Sequence, residues 1–581
     1  MEFPPPSPAS PRRFPWLSVL KFAAVLGPLC FALNNLAIWS GILHPPAGYV
    51  PRYALSNLDV PLYLTWMTLA PTHWLLPNFH APWASDNALL SPLVLSAGRL
   101  SHAAGLTPIA GFQVFHFVLY LVAALALGAA IWTFCTTRRQ RIAACVAIFM
   151  AMPLPLLGLG WMRLAGKDAP LLWIGLIQYS YETSDGLLRG GTSNSFTLSF
   201  GTASNLFGLF FLTRFVRERS TRNLALLSLT AFLSAFFHPV EMCVIVTASL
   251  ATFALMAYRE RRFSALWRNG LPVGLAALTG LLPYVIQTSR SEWVRDISRI
   301  WEWHPSSVLW VPLVYGIPVV LVAYFLLMRF PLREPGDEVL RTWFLATIAL
   351  LFVPPVPFKL HMFDGFAYIA AILLVRLLSG HAHMRRLFER RPGVVYATLA
   401  AGFLLCFPGY FTLYRQIWQD GRAAQPSLLL NAVTRREEPV LIDWVRHNLR
   451  GDQVVLSPLD VAPWIATAPV PSMATHDEFS VTFDQQSKFV TAFFAGTLTG
   501  GEAAAGLSLY GVHYVVVPES SPALRYLSGR KIAGVSGPWT VYELPEGSRP
   551  PYPGLLALRP DIAAKPDFGS MVLAARKILT R

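Results

Sequence analysis

Residues 111–135, GFQVFHFVLYLVAALALGAAIWTFC, form an apolar stretch that contains no Asp, Glu, Lys or Arg. A helix needs roughly 20 apolar residues to cross a bilayer, so this stretch predicts a transmembrane helix. Comparable stretches recur along the chain, some of them shorter, and we predict about eleven spans in all. Their approximate bounds are 17–39, 111–135, 142–161, 198–213, 223–237, 239–257, 271–287, 308–328, 341–354, 365–379 and 393–413.

The composition of the whole chain agrees with a membrane protein. Of its 581 residues, 54% are hydrophobic and only 14% are charged, and the mean hydropathy is +0.45. Ordinary globular chains carry about 25% charged residues. This balance disfavours a fully soluble enzyme and an intrinsically disordered chain.

The net charge of +15 is concentrated in alternate loops. Arginines cluster at 138–141, 214–222, 259–268 and 385–391, whereas the loops between these clusters are nearly neutral. By the positive-inside rule, the N-terminus and the Arg-rich loops face the cytoplasm and the C-terminal part lies outside. The charge therefore indicates topology in a multi-pass protein of the cytoplasmic (inner) membrane, and it requires no nucleic-acid-binding surface.

Three predicted external regions are too long to be simple connections: 41–110, 162–197, and 414 to the end. In the first, apolar and aromatic residues at helical spacing predict short interfacial helices, with Trp66, Trp74 and Trp83 at headgroup depth.

The C-terminal part has a different pattern. An amphipathic helix at 437–449 and a helical stretch at 484–508 alternate with apolar strands in DQVVLSP, YGVHYVVVPES and WTVYELP. The predicted fold class is therefore an α-helical polytopic membrane protein with a small C-terminal external α/β domain. We divide the chain into a disordered cytoplasmic N-terminus (1–16), a transmembrane domain (17–413), an external α/β domain (414–547) and a C-terminal tail (548–581).

The strongest local signal for chemistry is SNLDVPLYLTWM, residues 56–67. Asp59 and Tyr63 are four residues apart, which places both side chains on one face of a helix. Asp59 could act there as a general base on an acceptor hydroxyl. It could equally be the N-cap of a short helix that begins at Val60 and Pro61.

Six segments carry a resemblance to a known family: DVPLYLTWM, GGTSNSFTLSFG, FHPVEM, PFKLHMFDGF, DWVRHNLRGDQVVLSP and YGVHYVVVP. Together with the order of first helix, long external loop, membrane body and external α/β part, they resemble the GT-C-fold membrane glycosyltransferases, in particular a bacterial subgroup. The resemblance implies transfer of a sugar from a polyprenyl-phosphate carrier to an external acceptor, without a nucleotide sugar. It also implies that Asp59 is the base or the acceptor-binding group.

The first loop holds a second carboxylate, Asp86, which is the candidate base if Asp59 is a cap. Asp86 could also be the N-cap of the NALLSPLVLSAG segment. His73 and His80 lie nearby, but their spacing fits no standard ligand motif, so we predict no metal site. Tyr63, His80 and Asp86 remain candidates for substrate binding.

Few cations lie on the predicted external side, and each is a candidate ligand for the lipid phosphate. Lys359 and His361, in VPPVPFKLHMFDGF, could clamp the phosphate, or Lys359 could extend to the headgroups. Arg189 precedes GGTSNSF, whose backbone N–H groups could bind an anion, although a plain loop is the simpler interpretation. The substrate-binding candidates of this kind are Lys167, Arg189, Lys359 and His361.

His238 and Glu241, in FFHPVEM, interrupt two apolar stretches. Ionisable residues at membrane depth indicate function by default. Pro239 favours a helix start, with Glu241 in the first turn of that helix. The two residues could pair with each other structurally or contact substrate, and we include both as substrate-binding candidates.

The leading hypothesis is a membrane glycosyltransferase that needs no cofactor. Its partners would be a polyprenyl-phosphate-linked sugar, a glycan, lipid or protein acceptor, and membrane lipids. A transporter or flippase of lipid-linked glycan is an alternative, although the chain lacks the internal repeat typical of transporters. A non-catalytic glycosyltransferase-like scaffold is the third possibility.

Overall fold

The computed structural model describes residues 14–55, 59–83, 91–167, 196–300, 310–332, 334–352, 359–424, 431–475, 482–545 and 550–551. Helices occupy all eleven predicted apolar stretches, which confirms a mostly helical, multi-pass membrane protein. Through residue 260 the helices are α1 Trp16–Asn34, α2 Leu36–Leu43, α3 Asp59–Leu69, α4 Pro92–Ala103, α5 Pro108–Phe134, α6 Arg138–Met150, α7 Leu154–Leu164, α8 Phe196–Glu218, α9 Thr221–Phe237 and α10 Pro239–Glu260. The next are α11 Ser264–Arg290, α12 Glu292–Ile300, α13 Trp310–Leu327, α14 Pro335–Phe352, α15 Phe366–Gly380, α16 Ala382–Arg390 and α17 Pro392–Gly421.

Six helical segments in the described part of the chain are long and apolar enough to cross a membrane. The broken pair α6 and α7, bent by 76°, makes a seventh if it is counted as one span. The predicted stretch 142–161 is thus two helices, because Pro153 and Pro155 fall at the break. Two further apolar helices, Thr221–Phe237 and Val311–Leu327, are shorter than a full span. The long first stretch also divides, at Asn35, into α1 and α2.

Arginines and carboxylates meet at one end of the helical body, which we call the arginine end. The Arg376 guanidinium in α15 donates to both carboxylate oxygens of Asp337, at 2.6 and 2.9 Å, and to the Phe134 carbonyl oxygen. Glu334 lies 2.9 Å from both Arg376 and Arg217. Asp337 and Arg376 are buried, with 2% and 7% exposure, whereas the Glu334 side chain is 44% exposed. The arginine end is therefore held by a buried ion pair with a partly exposed carboxylate at its edge.

Where the structure describes the C-terminal part, it contains four α-helices and a four-stranded sheet. The helices are α18 Glu437–Asn448, α19 Ala462–Ala466, α20 Phe483–Phe494 and α21 Gly500–Leu509. The strands are β3 Val454–Leu456, β4 Val512–Pro518, β5 Lys531–Ser536 and β6 Trp539–Glu543, in the order β3-β4-β6-β5. β3 pairs parallel to β4, and the other pairs are antiparallel. Neighbouring valines of β4 enter two different apolar clusters because successive side chains point to opposite faces, so the sheet is covered on both sides.

The predicted strands in DQVVLSP, YGVHYVVVPES and WTVYELP and the helix at 437–449 are confirmed. The helical stretch 484–508 is two helices, since Thr499 caps a new one with its hydroxyl and forms a capping box with Glu502. Strand β5 was not predicted. It is the outer strand of the antiparallel β5–β6 pair, and three of its residues, Lys531, Ile532 and Val535, are exposed.

The first loop and the C-terminal part are joined by direct contacts. The short strands β1 (Tyr49–Pro51) and β2 (Val433–Arg435) pair antiparallel. Arg52 donates to Glu438 at 2.7 Å, and its guanidinium lies 4.2 Å from the Trp464 ring centre. Two polypeptide regions nearly 400 positions apart therefore pack as one unit.

Two of the three tryptophans predicted to lie at headgroup depth are buried inside the protein. Trp66 and Trp83 are buried, at 4% and 5% exposure, and the Trp83 ring lies 5.7 Å from Tyr510 in the C-terminal core. Trp74, by contrast, is exposed and stacks with the Arg99 guanidinium. Sequence patterns place an aromatic residue in an apolar setting, but they do not distinguish lipid from a protein partner distant in the chain.

Candidate functional site

A cluster of ionisable side chains lies at the end of the helical body opposite to the arginine end; we call it the histidine end. It is formed by the start of α10, which follows directly on α9, and by the 3₁₀ turn Lys359–Phe363 that leads into α15. α10 begins at Pro239, whose missing N–H suits a first helical position, so His238 and Glu241 are placed around this first turn.

His238 and Glu241 form a close pair. The Nδ1 atom of His238 lies 2.7 and 2.8 Å from the two carboxylate oxygens of Glu241. The His238 side chain is 17% exposed and the Glu241 side chain is fully buried. The pair is therefore reachable from one side only, through the histidine.

The second histidine comes from the 3₁₀ turn. The rings of His238 and His361 meet edge to face with their centres 4.9 Å apart. The Nδ1 atom of His361 lies 3.5 Å from Oδ2 of Asp364, a residue that is 2% exposed. The structure thus brings together three residues predicted separately, His238, Glu241 and His361, and adds Asp364.

Gly201 in α8 leaves room for the two carboxyl groups to meet. A Cβ atom at this position would lie 2.3 Å from Oε1 of Glu241 and 2.3 Å from Oδ2 of Asp364, far inside contact distance. The Glu241 and Asp364 carboxyl groups therefore face each other across this glycine. Asn205, one turn further along α8, donates to the Asp364 carbonyl oxygen at 2.8 Å and fixes the turn. A helix with a larger residue at 201 could not hold this arrangement.

The buried carboxyl groups at this end have unusual ionisable neighbours. Among the residues that the structure describes, no lysine or arginine forms an ion pair with Glu241; its ionisable neighbours are His238 and Asp364. Two carboxyl groups in contact cannot both be ionised without a cation between or beside them. The site can therefore hold a proton, a metal ion or a cationic group of a ligand.

The first-loop helix α3 lies against the same apolar cluster as the histidine end. This cluster contains Tyr63 of α3, Phe200 beside Gly201, and Phe237 beside His238. The Tyr63 ring is stacked on Phe112, with ring centres 6.4 Å apart. Asp59 is the first residue of α3 and is partly buried. Asp59 and Tyr63 thus stand on one helix, and that helix shares an apolar cluster with residues that flank the histidine end.

The other predicted site residues have different surroundings. His80 is fully buried, its Nδ1 3.0 Å from the Thr475 hydroxyl and its Nε2 3.2 Å from the Thr65 hydroxyl, which favours a structural link over substrate binding. Lys167 is exposed just beyond the end of α7. Lys359 starts the 3₁₀ turn, next to His361 in sequence, but the position of its side chain is not described. Asp86 and Arg189 lie outside the described residues.

Sequence reasoning missed Asp364 and Gly201, although both stand in quoted segments. A signal for Asp364 was present: a carboxylate follows a histidine by three positions in HPVE, residues 238–241, and again in HMFD, residues 361–364. Two histidine–carboxylate pairs at the same spacing next to apolar stretches indicate a shared site. Nothing local distinguishes Gly201 from the other glycines of apolar helices.

No protein-family model matches the chain, and the search of curated proteins finds no match. Among solved structures, the chain is similar to the oligosaccharyltransferase of Archaeoglobus fulgidus in its apo form, at 15% identity and TM-score 0.43, over 87% of this chain and 70% of that chain. The structure of the same archaeal protein, AglB, with an inhibitory peptide and a dolichol-phosphate matches at 15% identity and TM-score 0.42, over 88% and 70%. The arabinofuranosyltransferase AftD from Mycobacteria matches at 15% identity and TM-score 0.43, over 90% and 40%.

Proposed function

We propose that the protein is a membrane glycosyltransferase of the GT-C type, which moves a sugar from a polyprenyl-phosphate carrier to an acceptor on the external side of the cytoplasmic membrane. The observation that carries the proposal is the meeting of His238, Glu241 and His361, which come from two separate segments of the chain. Residues that flank this site share an apolar cluster with the helix that bears Asp59. In the predicted topology these loops and the C-terminal part share the external side.

The chemistry of glycosyl transfer fits this set of groups. The acceptor hydroxyl must lose a proton, the bond between the sugar C1 and the phosphate oxygen breaks through an oxocarbenium-like state, and the lipid phosphate leaves. In our proposal Asp59 takes the proton from the acceptor. His361, with Lys359 next to it in sequence, meets the phosphate, and Tyr63 helps to position the sugar or the acceptor.

The arrangement of the first loop also supports an enzyme. The β1–β2 pair and the Arg52–Glu438 ion pair hold the loop against the C-terminal part, so the two form one surface. A rigid platform of this kind suits the positioning of an acceptor. We propose that the C-terminal domain binds the acceptor.

The experiment that tests the function compares lipids and glycans, by mass spectrometry, from cells with the wild-type chain, with Asp59→Asn, and with no chain. We expect a polyprenyl-phosphate sugar to accumulate, and one glycan to lose a residue, equally in the null and in Asp59→Asn. The matched control is Asp443→Asn, a carboxylate exposed on the outside of α18, which should behave as wild type.

Other outcomes would change the proposal in different ways. If glycans change in the null but not in Asp59→Asn, Asp59 is not the base. If the purified chain moves carrier lipid across liposomes without turnover of the sugar, it is a transporter. An unchanged set of lipids and glycans in the null would contradict the transferase altogether.

A further inference from the structure

The residues of the histidine end are those of a metal site. We propose that His238, Glu241 and His361 bind a divalent transition-metal ion, with Asp364 orienting His361. The proposal goes beyond the transferase function and does not depend on it, because metal binding can be measured without any activity.

The first support is geometric. His238, Glu241 and His361 each offer one ligand atom, and these three atoms lie within 4.8 Å of one another. Bonds of about 2.0–2.2 Å from a metal to nitrogen and oxygen place neighbouring ligand atoms roughly 3–3.5 Å apart. Rotation of the histidine side chains would close the difference, and His238 and Glu241 are already in contact.

The second support is the type of donor. Two imidazoles and one carboxylate are a set found in catalytic zinc sites, where a fourth position stays open for water or substrate. The Nδ1 atom of His361 lies 3.5 Å from Oδ2 of Asp364, and in the proposed site its Nε2 atom binds the metal. A carboxylate behind a ligating histidine fixes the ring and strengthens the ligand.

The third support is charge. Glu241 and Asp364 are in contact and nearly without exposure, and Gly201 permits this close approach. Buried carboxylates are stable when a cation or a proton compensates them. A divalent ion would satisfy Glu241 and, through His361, Asp364, in a place where the described residues supply Glu241 with no arginine or lysine partner.

The donor set also limits the kind of metal. Imidazole and carboxylate ligands suit zinc, manganese, iron and cobalt, whereas Ca²⁺ and Mg²⁺ prefer oxygen ligands alone. Zn²⁺ is the first ion to test because it binds such sites tightly among the readily available divalent metals. A phosphate oxygen of a lipid carrier is a ligand that could take the open position.

The experiment measures metal content of the full chain, purified in detergent through a tag without histidine and with Zn²⁺ in the growth medium. We expect about one zinc ion per wild-type chain by elemental mass spectrometry. Glu241→Gln and His361→Gln should each lower the content at least about tenfold. The control is Glu438→Gln, a buried glutamate paired with Arg52 away from the site, which should keep the metal.

A second measurement uses only the wild-type chain, in case the variants do not fold. Chelator-treated protein is titrated with Co²⁺, and the d–d absorption of the bound ion is recorded before and after addition of Zn²⁺. A saturable signal that Zn²⁺ removes supports the site. No stoichiometric zinc, manganese, iron or cobalt in the wild type together with no Co²⁺ signal, or equal metal in wild type and site variants, would overturn the proposal.

Discussion

The two ends of the helical body surround their buried carboxylates with different ionisable partners. At the arginine end, Asp337 is bound by both arms of the Arg376 guanidinium, with Glu334 and Arg217 around them. At the histidine end, Glu241 is equally buried, but its ionisable partners are a histidine and a second carboxyl group.

This difference indicates a structural role for the arginine end and a functional role for the histidine end. A guanidinium stays charged at any ordinary pH, so the arginine end is complete without a ligand and serves to fasten α5, α8, α14 and α15 together. A histidine can be neutral or charged and can bind a metal, so the histidine end can change its occupant. We therefore expect changes at the first end to lower stability and changes at the second to lower function.

The largest effect is expected for Asp337→Asn. Removal of the carboxylate leaves the Arg376 guanidinium buried with Glu334 as its remaining partner, which should lower the free energy of unfolding by about 3 kcal/mol. Steric trapping or denaturant titration in the same detergent measures it. The control is Glu218→Gln, from a partly exposed pair with Arg214, where the change should be under about 0.5 kcal/mol. A similar loss of unfolding free energy in both variants would contradict a special structural role for the arginine end.

Glu241→Gln is expected to act on function instead. The amide keeps the size of the side chain but cannot carry its charge, and we expect sugar transfer to fall about a hundredfold, equivalent to roughly 2.7 kcal/mol. The free energy of unfolding should stay within about 1 kcal/mol of wild type, since no buried arginine loses its partner. Transfer is followed by the mass spectrometry described above. An active but strongly destabilised variant would show that Glu241 is a structural residue like Asp337.

Gly201→Ala tests how tightly the carboxyl groups at the histidine end are packed. The new methyl group would collide with the oxygens of both Glu241 and Asp364, so one carboxyl group must move. We expect a loss of about 2 kcal/mol in unfolding free energy, as in other overpacked sites, together with reduced transfer. Gly274→Ala in α11 is the matched control, because a Cβ atom there meets nothing within 4 Å. Equal behaviour of the two variants would mean that the carboxyl pair is not held tightly.

The smallest effect concerns Asp460, in the unit formed by the first loop and the C-terminal part. Nearby arginines compensate the charge of its carboxylate only in part. Burial raises the pKa of Asp460 above its ordinary value of 3.8, and nearby Glu438 raises it further, although Arg435 and Arg52 oppose both. The Asp460 carboxyl group therefore binds a proton more strongly in the folded state than in the unfolded state. The stability that this protonation contributes is lost as the pH rises through the folded pKa.

We thus expect Asp460→Asn to be slightly more stable than wild type at neutral pH, with an advantage that shrinks as the pH falls towards 3.8. Thermal unfolding midpoints of both proteins, measured from neutral to acidic pH, test this. A less stable Asn variant at neutral pH would show that attraction to the two arginines outweighs burial, as it does at the arginine end.

The helical body and most C-terminal strands could be predicted from the sequence because apolar periodicity is a local property. The apolar stretch 111–135 is a helix and YGVHYVVVPES contains a strand, as the residues of each segment predict by themselves. Trp66 and Trp83 were misplaced because their burial depends on packing partners far away in the chain, such as Tyr510 for Trp83.

The candidate site was predictable residue by residue but not as a unit. His238 and Glu241 were singled out as ionisable groups at membrane depth and His361 as a candidate ligand for the lipid phosphate. Their meeting, however, depends on how α8, α10 and the 3₁₀ turn pack. Asp364 was overlooked because a carboxylate near a helix start has an ordinary structural explanation. The proposed roles of Asp59 and Lys359 remain predictions.

The contact between the first loop and the C-terminal part has a consequence for biosynthesis. His80 and its partner Thr475 are 395 positions apart, and strand β1 is likewise synthesised long before its partner β2. At roughly 5–20 residues per second, the ribosome needs on the order of tens of seconds to supply these partners. During that time the loop has already left the ribosome with Trp83 and its other buried side chains uncovered. Shielding of this nascent surface by a chaperone, or by the membrane itself, would set the yield of folded protein.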